Sequence, residues 1–312
     1  MAEQTTIKQT KIGQTKIGRT KIGNIADESV PLTFIRTLGS SYLRTTALRC
    51  IASIFRHFFF MQYRAAFLPG LIPVSKADHP LDEKIPFLPG KVNIYLDFVA
   101  FWIRTIGFLK RRGLLKQVLN FIETMGALYA FAADVYVKNL STTERPFYIK
   151  RLPFLFIHAV DPHLMCVPSL HVMVVIRTYT FFYQLMKSTA EEERYASQAE
   201  ELRLGALAIT EAVLYIKQHS VNCIPAAMYA MTVFDPGLFP PDEAERFASG
   251  IFKDTKAIDK DDVDEILNFI LSMYRRFLAQ FEAGGHWTEP LLDFLRELPL
   301  ELPRTPSKGN PS

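Results

Sequence analysis

Three short stretches of this sequence hold the residue types that oxyanion or metal chemistry needs. In "KNLSTTERP", Lys138 and Arg145 are separated by six residues and Pro146 follows. Two cations on one short loop suit a doubly charged oxyanion, with Arg as a bidentate fork and Lys as a point charge. A pair of long side chains snorkelling at a membrane boundary has the same pattern. In "CVPSLHV", Pro168 suits the first turn of a helix, which puts Ser169 and His171 at its N-terminus. Free N–H groups there receive an anion, although a histidine that is merely hydrogen-bonded fits the place equally. In "IKQHSVNC", His219 sits in an apolar neighbourhood, with Lys217 two positions before it and Cys223 four after. That is half of a metal site, half of a catalytic apparatus, or core packing that includes a histidine.

The elements that must position these residues are apolar. About half of the 312 residues are hydrophobic and the net charge is only +4. Basic residues do not interleave with aromatics as in nucleic-acid readers, so no nucleic-acid partner is expected. Three cysteines without a C-x-x-C make no disulfide framework. The first residues, "QTKIGQTKIGRTKIG", are a polar, basic five-residue repeat with no apolar core, so residues 1–30 read as a disordered tail rather than a cleavable leader. Apolar stretches follow at 47–70, 92–109, 114–137, 168–186, 203–218 and 220–235, each close to the roughly 20 residues that cross a bilayer. They carry Asp97, Arg104, Glu123, Asp134, Arg177 and Glu211, which must then face the bundle interior. The basic segment with Arg36, Arg44 and Arg49 and the turn "KRRGLLK" favour a cytoplasmic N-terminus. The charged loop 187–203 and the C-terminal region fall on the same inner side. The expectation is an all-α, polytopic membrane bundle of about six spans over residues 31–235. Residues 236–312 follow as an amphipathic, helical cytoplasmic appendage.

Under that topology Lys138 follows span three, His171 begins span four and His219 follows span five. All three fall on the extracytoplasmic face. In this order the three stretches resemble the signature of the type 2 phosphatidate phosphatase and haloperoxidase superfamily, K-x6-R-P, then P-S-G-H, then S-R-x5-H-x3-D. "PSLH", with Leu170 at the glycine position, is similar to the variant of inositol-phosphoceramide synthase-like phosphotransferases, and "LDEKIPFLPGKVNIYLDF" resembles the start of those membrane proteins. The resemblance covers about residues 45–235. It implies that Lys138, Arg145, Ser169 and Lys217 hold phosphate. It implies that His219 is the nucleophile that becomes phospho-histidine and that His171 protonates the leaving oxygen. No cofactor or metal ion is implied. The implied substrate is a lipid phosphate in the cell membrane.

The third motif departs from the pattern. Ala212 and Val213 stand at its Ser and Arg positions, and Cys223 stands where an aspartate fixes the imidazole. A thiol is a poor acceptor, so the loss could cost several orders of magnitude in rate. Other readings stay open: a catalytically impaired relative that binds or supports, a zinc site from His163, Cys166, His219 and Cys223, or a disulfide between Cys166 and Cys223.

Overall fold

The computed structural model describes residues 23–301. Its helices are α1 Val30–Gly39, α2 Arg44–Ile54, α3 Met61–Phe67, α4 Val92–Arg111, α5 Leu115–Tyr136, α6 Leu152–Val160, α7 Leu170–Ser188, α8 Glu192–Tyr215, α9 Cys223–Phe234, α10 Pro241–Ala248, α11 Lys260–Glu282 and α12 Glu289–Glu297. A π-helical turn, Phe55–Phe60, joins α2 to α3, so the chain from 44 to 67 forms one long rod against α5. Where α2 crosses α5 the backbones nearly touch: a Cβ on Gly126 would lie 3.1 Å from Cys50 Cα. Two short strands, β1 Val74–Lys76 and β2 Leu140–Thr142, pair in parallel at one end of the bundle.

α7 is the axis. Every residue from Val172 to Phe182 is buried, and α7 packs on α4, α5, α8 and α9. A helix that is apolar on all sides belongs at the centre of a bundle. The one charge on that stretch, Arg177, is satisfied there by Asp235 at 2.6 Å and Thr124 at 2.8 Å. Glu211 likewise accepts from the Phe252 N–H at 2.7 Å. Arg104 pairs with Asp97 at 2.8 Å, but Glu123 and Asp134 of α5 are exposed and do not face the bundle interior as expected.

The architecture is mostly helical, as expected, but the six-span pattern is not reproduced. Among the described residues, two helical stretches are long and apolar enough to cross a membrane, Pro89–Arg111 and Leu115–Tyr136, and about half of each is buried in protein. α9 fails for a physical reason: its 12 residues fall short of about 20, and α11 covers it. α11 buries a stripe of Val263, Ile266, Ile270, Tyr274 and Phe277 and exposes Asp261, Asp264, Glu265 and Arg275. A helix with that outer face is built for water. The expected loop 187–203 is helical from Glu192.

The region after 235 is not separate from the bundle. One apolar core runs through both. Lys84 meets Asp262 at 2.7 Å, the Lys76 N–H donates to Pro299 O at 2.7 Å, and the Glu301 N–H donates to Val74 O at 2.7 Å. This ties the C-terminal region to the end of the bundle that carries β1 and β2. Of the expected N-terminal tail, residues 1–22 lie outside the described residues. Residues 23–30 are anchored, with Ile25 buried and its N–H donating to Glu201 at 3.0 Å.

Candidate functional site

The strand pair brings the first two motifs together. The Ser141 N–H donates to Leu164 O, the Cys166 N–H to Ser141 O, and the Val167 N–H to Ser141 Oγ at 2.7 Å. The extended segment 163–167 therefore lies beside β2, and α7 starts where it ends. Pro168 does not open the helix as its sequence position suggests. It follows a cis peptide bond, Ser169 is the extended N-cap, and Leu170 begins the helix.

The third motif is the loop between α8 and α9. It is clamped by the stretch before α4. Asp82 accepts from the Val221 N–H at 2.8 Å, and Asn222 donates to Ala77 O at 3.1 Å. Lys217, with φ 56°, turns its ammonium onto the carbonyls of Asp82 and Ile85. Lys217 is thus a tether for the loop and not a phosphate ligand.

These constraints set His219 against α7. Its Nε2 lies 3.3 Å from Ser169 Oγ and 3.2 Å from His171 Nδ1. His171 is held between Tyr95 and Phe98 of α4, with ring centroids at 4.6 and 4.2 Å. Arg145 reaches the same loop through Gln218, donating to Oε1 at 3.3 Å, and donates to Asp161 O at 2.9 Å. Residues from all three stretches therefore converge: Arg145, Ser169, His171 and His219.

Lys138 does not join them. It is exposed and donates to Thr288 Oγ1 at 3.2 Å, on the side of α12. Motif spacing carries no information on which way a side chain leaves the end of α5. Cys223 is fully buried at the start of α9 and brings no carboxylate. His219 Nδ1 is buried without a hydrogen-bond partner.

Two residues outside the signature complete the site. Asp161 and His163 precede the second motif, with His163 Nδ1 3.8 Å from the Asp161 carboxylate and Nε2 2.8 Å from Thr143 Oγ1. Arg145 lies 3.7 Å from the same carboxylate. Burial by itself would lower His163. Charge on the Cys166 sulfur, when it is a thiolate, and the Asp161 carboxylate work against burial and raise the ring. Burial alone would raise Asp161, but its hydrogen bond to His163 and the charges of His163 and Arg145 hold it down to about 2. His219 goes the other way. Burial, then the charges of His171 and His163, push it well below the ordinary histidine range, against the smaller opposing effects of Asp161 and the Cys166 carbonyl. The sequence named His163 only as a zinc ligand, and the D-P-H triplet was the signal available for its pairing.

Among the described residues, no group of three or more His, Cys, Asp or Glu side chains is arranged to hold a metal ion. Cys50, Cys166 and Cys223 are buried free thiols. No family model, curated protein or solved structure matches the chain.

Proposed function

We propose that this protein is a membrane-associated phosphoesterase or phosphotransferase that acts on a lipid phosphate through a phospho-histidine at His219. One observation carries the reading: His219 Nε2 faces both Ser169 and His171, while Nδ1 is buried without a hydrogen-bond partner. Nε2 is then the attacking atom. Its lone pair bonds to phosphorus as the bond to the leaving alkoxide breaks. His171 delivers a proton to that oxygen as its imidazolium, a form that burial disfavours by lowering the ring to about 4, and then takes one from the water or alcohol that resolves the phospho-enzyme. Ser169 and Arg145 offer donors to the oxygens of the transferring group.

The test is phosphate release, or head-group exchange, from a panel of lipid phosphates by purified protein. Arg145→Lys is expected to lower kcat/KM by about 10- to 100-fold, because a point charge cannot reproduce the bidentate fork. Turnover within twofold of wild type would remove Arg145 from the site.

A second reading is favoured by the unpaired Nδ1 and by the departure of Lys138: the same fold binding an oxyanion without turning it over. Absence of phosphate release together with retained oxyanion binding would select it.

For the membrane, the finer proposal is a multi-pass chain with the site on the extracytoplasmic side. α5, at about 33 Å for its 22 residues, matches a bilayer core. A thiol label at Lys116→Cys is expected to react only from the cytoplasmic side and one at Glu144→Cys only from outside. Both positions are exposed. Labelling of both from one side would show that α5 does not cross.

A further inference from the structure

α1 is packed inside out. A helix on a water-soluble core turns its apolar side inward. α1 buries its two threonines, Thr33 and Thr37, and turns Leu32, Phe34 and Ile35 outward, with Ile35 66% exposed. The inward face is specific. Thr37 Oγ1 donates to Thr33 O at 2.7 Å, and a Cβ on Gly107 of α4 would collide with the Thr33 hydroxyl. The rotation of α1 is therefore fixed by contacts that a turned helix could not make.

The level of this helix along the bundle is fixed too. Lys110 donates to Arg36 O, and Gly107 lies within one turn of Lys110 and Arg111, the basic end of the apolar stretch Pro89–Arg111. Tyr95 and Phe98, which clasp His171, belong to the other end of α4. If that stretch crosses a bilayer, α1 stands where headgroups meet acyl chains, on the side away from His219.

Charge says what covers the exposed edge. From Ser29 to Ala77 the chain has no Asp or Glu, but it has Arg36, Arg44, Arg49, Arg56, Arg64 and Lys76. Arg36 and Arg49 are exposed, and among the described residues neither has an ion-pair partner. Arg44 is used to close the turn after α1, donating to Leu38 O at 2.8 Å. Of the two carboxylates just before α1, Glu28 is taken by Arg111 and Asp27 is exposed. A specific protein partner needs about 800 Å² per side, whereas α1 is one helix of about 15 Å for its 10 residues. Apolar side chains flanked by unpaired arginines match an anionic lipid surface.

We propose that α1 is an interfacial anchor on an anionic leaflet: Leu32, Phe34 and Ile35 enter the acyl boundary, and Arg36 and Arg49 meet lipid phosphates. The anchor rests on the membrane association proposed above and not on turnover at His219.

The experiment places a nitroxide at Ile35→Cys, with Asp264→Cys on the outer face of α11 as the water reference. The native cysteines are buried and do not compete for label. The full chain is reconstituted in phosphatidylcholine vesicles with or without about one third phosphatidylglycerol. At 35 the label should collide with oxygen and be protected from an aqueous nickel chelate, and at 264 the reverse. Phosphatidylglycerol should deepen the label at 35. Arg36→Gln and Arg49→Gln should each lower its ratio of immersed to exposed label by about fivefold at low salt. The phosphatidylglycerol effect should fade as salt screens the charges, a readout that needs no arginine variant. Equal nickel contact at 35 and 264 overturns the anchor. Protection at 35 that rises with the protein-to-lipid ratio replaces the lipid by a second copy of the chain and also overturns it. Identical depth with and without phosphatidylglycerol removes the anionic leaflet. Nickel contact at 35, with Lys116→Cys and Glu144→Cys labelled from opposite sides, would sink the anchor alone. Immersion at 35 with no turnover of any lipid phosphate would sink the phosphoryl-transfer reading alone.

Discussion

His219→Ala is expected to lower phosphate release from lipid phosphates by about three orders of magnitude or more, because the phosphoryl group loses the atom to which it is transferred. His219 contributes two things no neighbour can supply: an Nε2 facing Ser169 and His171, and a ring that stays neutral. His171 cannot take over, since its Nδ1 is turned towards His219 and its ring is fixed between Tyr95 and Phe98. Because His219 is pushed well below the ordinary histidine value of 6.5, its neutral form persists into acid. The acid limb of kcat/KM should therefore lie below the ordinary histidine range. His219→Gln should match His219→Ala in rate while keeping most of the side-chain volume, and circular dichroism on both variants checks that the fold is intact. Turnover within tenfold of wild type in either variant would exclude His219 as the nucleophile.

Cys223→Asp is expected to raise turnover by about two orders of magnitude. The tautomer of His219 decides this. A neutral imidazole has one N–H, and a proton on Nδ1 needs an acceptor there. In the wild type Nδ1 is buried and makes no hydrogen bond, although the Cys166 carbonyl lies close enough to the ring to favour its charged form. The proton is then better placed on Nε2, where Ser169 Oγ and His171 Nδ1 accept it, and Nε2 has no lone pair to attack phosphorus. On the motif's pattern, a carboxylate at 223 holds the proton on Nδ1 and frees Nε2. Loss of an orienting aspartate costs about 10⁴-fold in a hydrolytic triad. The gain here is smaller because the new carboxylate enters a fully buried position and carries a desolvation cost. An anion beside the ring also favours the imidazolium, so the acid limb of kcat/KM should move to higher pH than in the wild type. Combining the substitution with His219→Ala should erase the gain. If Cys223→Asp folds and is slower than the wild type, the thiol has a role of its own.

The apolar stretches that became α4, α5, α7 and α9 were legible, and so was the amphipathic face of α11. What they pack against was not. α7 and α9 have no polar face, and an apolar run of that kind has the same pattern whether lipid or protein surrounds it. The stripe from Val263 to Phe277 showed that α11 buries one side, but nothing local says that α9 lies under it. In the site, the order of the three motifs anticipated the meeting of Arg145, Ser169, His171 and His219. The exits of Lys138 and Lys217 depend on Thr288 and on the carbonyls of Asp82 and Ile85, which are distant in the chain. Asp161 and His163 escaped because their partners, Arg145 and Thr143, come from another segment.

The measurement closest to the central claim is a rapid quench of wild type and Cys223→Asp during turnover of a phosphorus-labelled lipid phosphate, followed by peptide mapping. A phosphoramidate is stable to base and labile to acid, so an alkaline quench preserves it. The account predicts label on the peptide that holds His219, more of it or faster in Cys223→Asp, none in His219→Ala, and its discharge to water or an alcohol at the rate of turnover. Product formation with no label on His219, label on a different residue, or no label in either variant would contradict it.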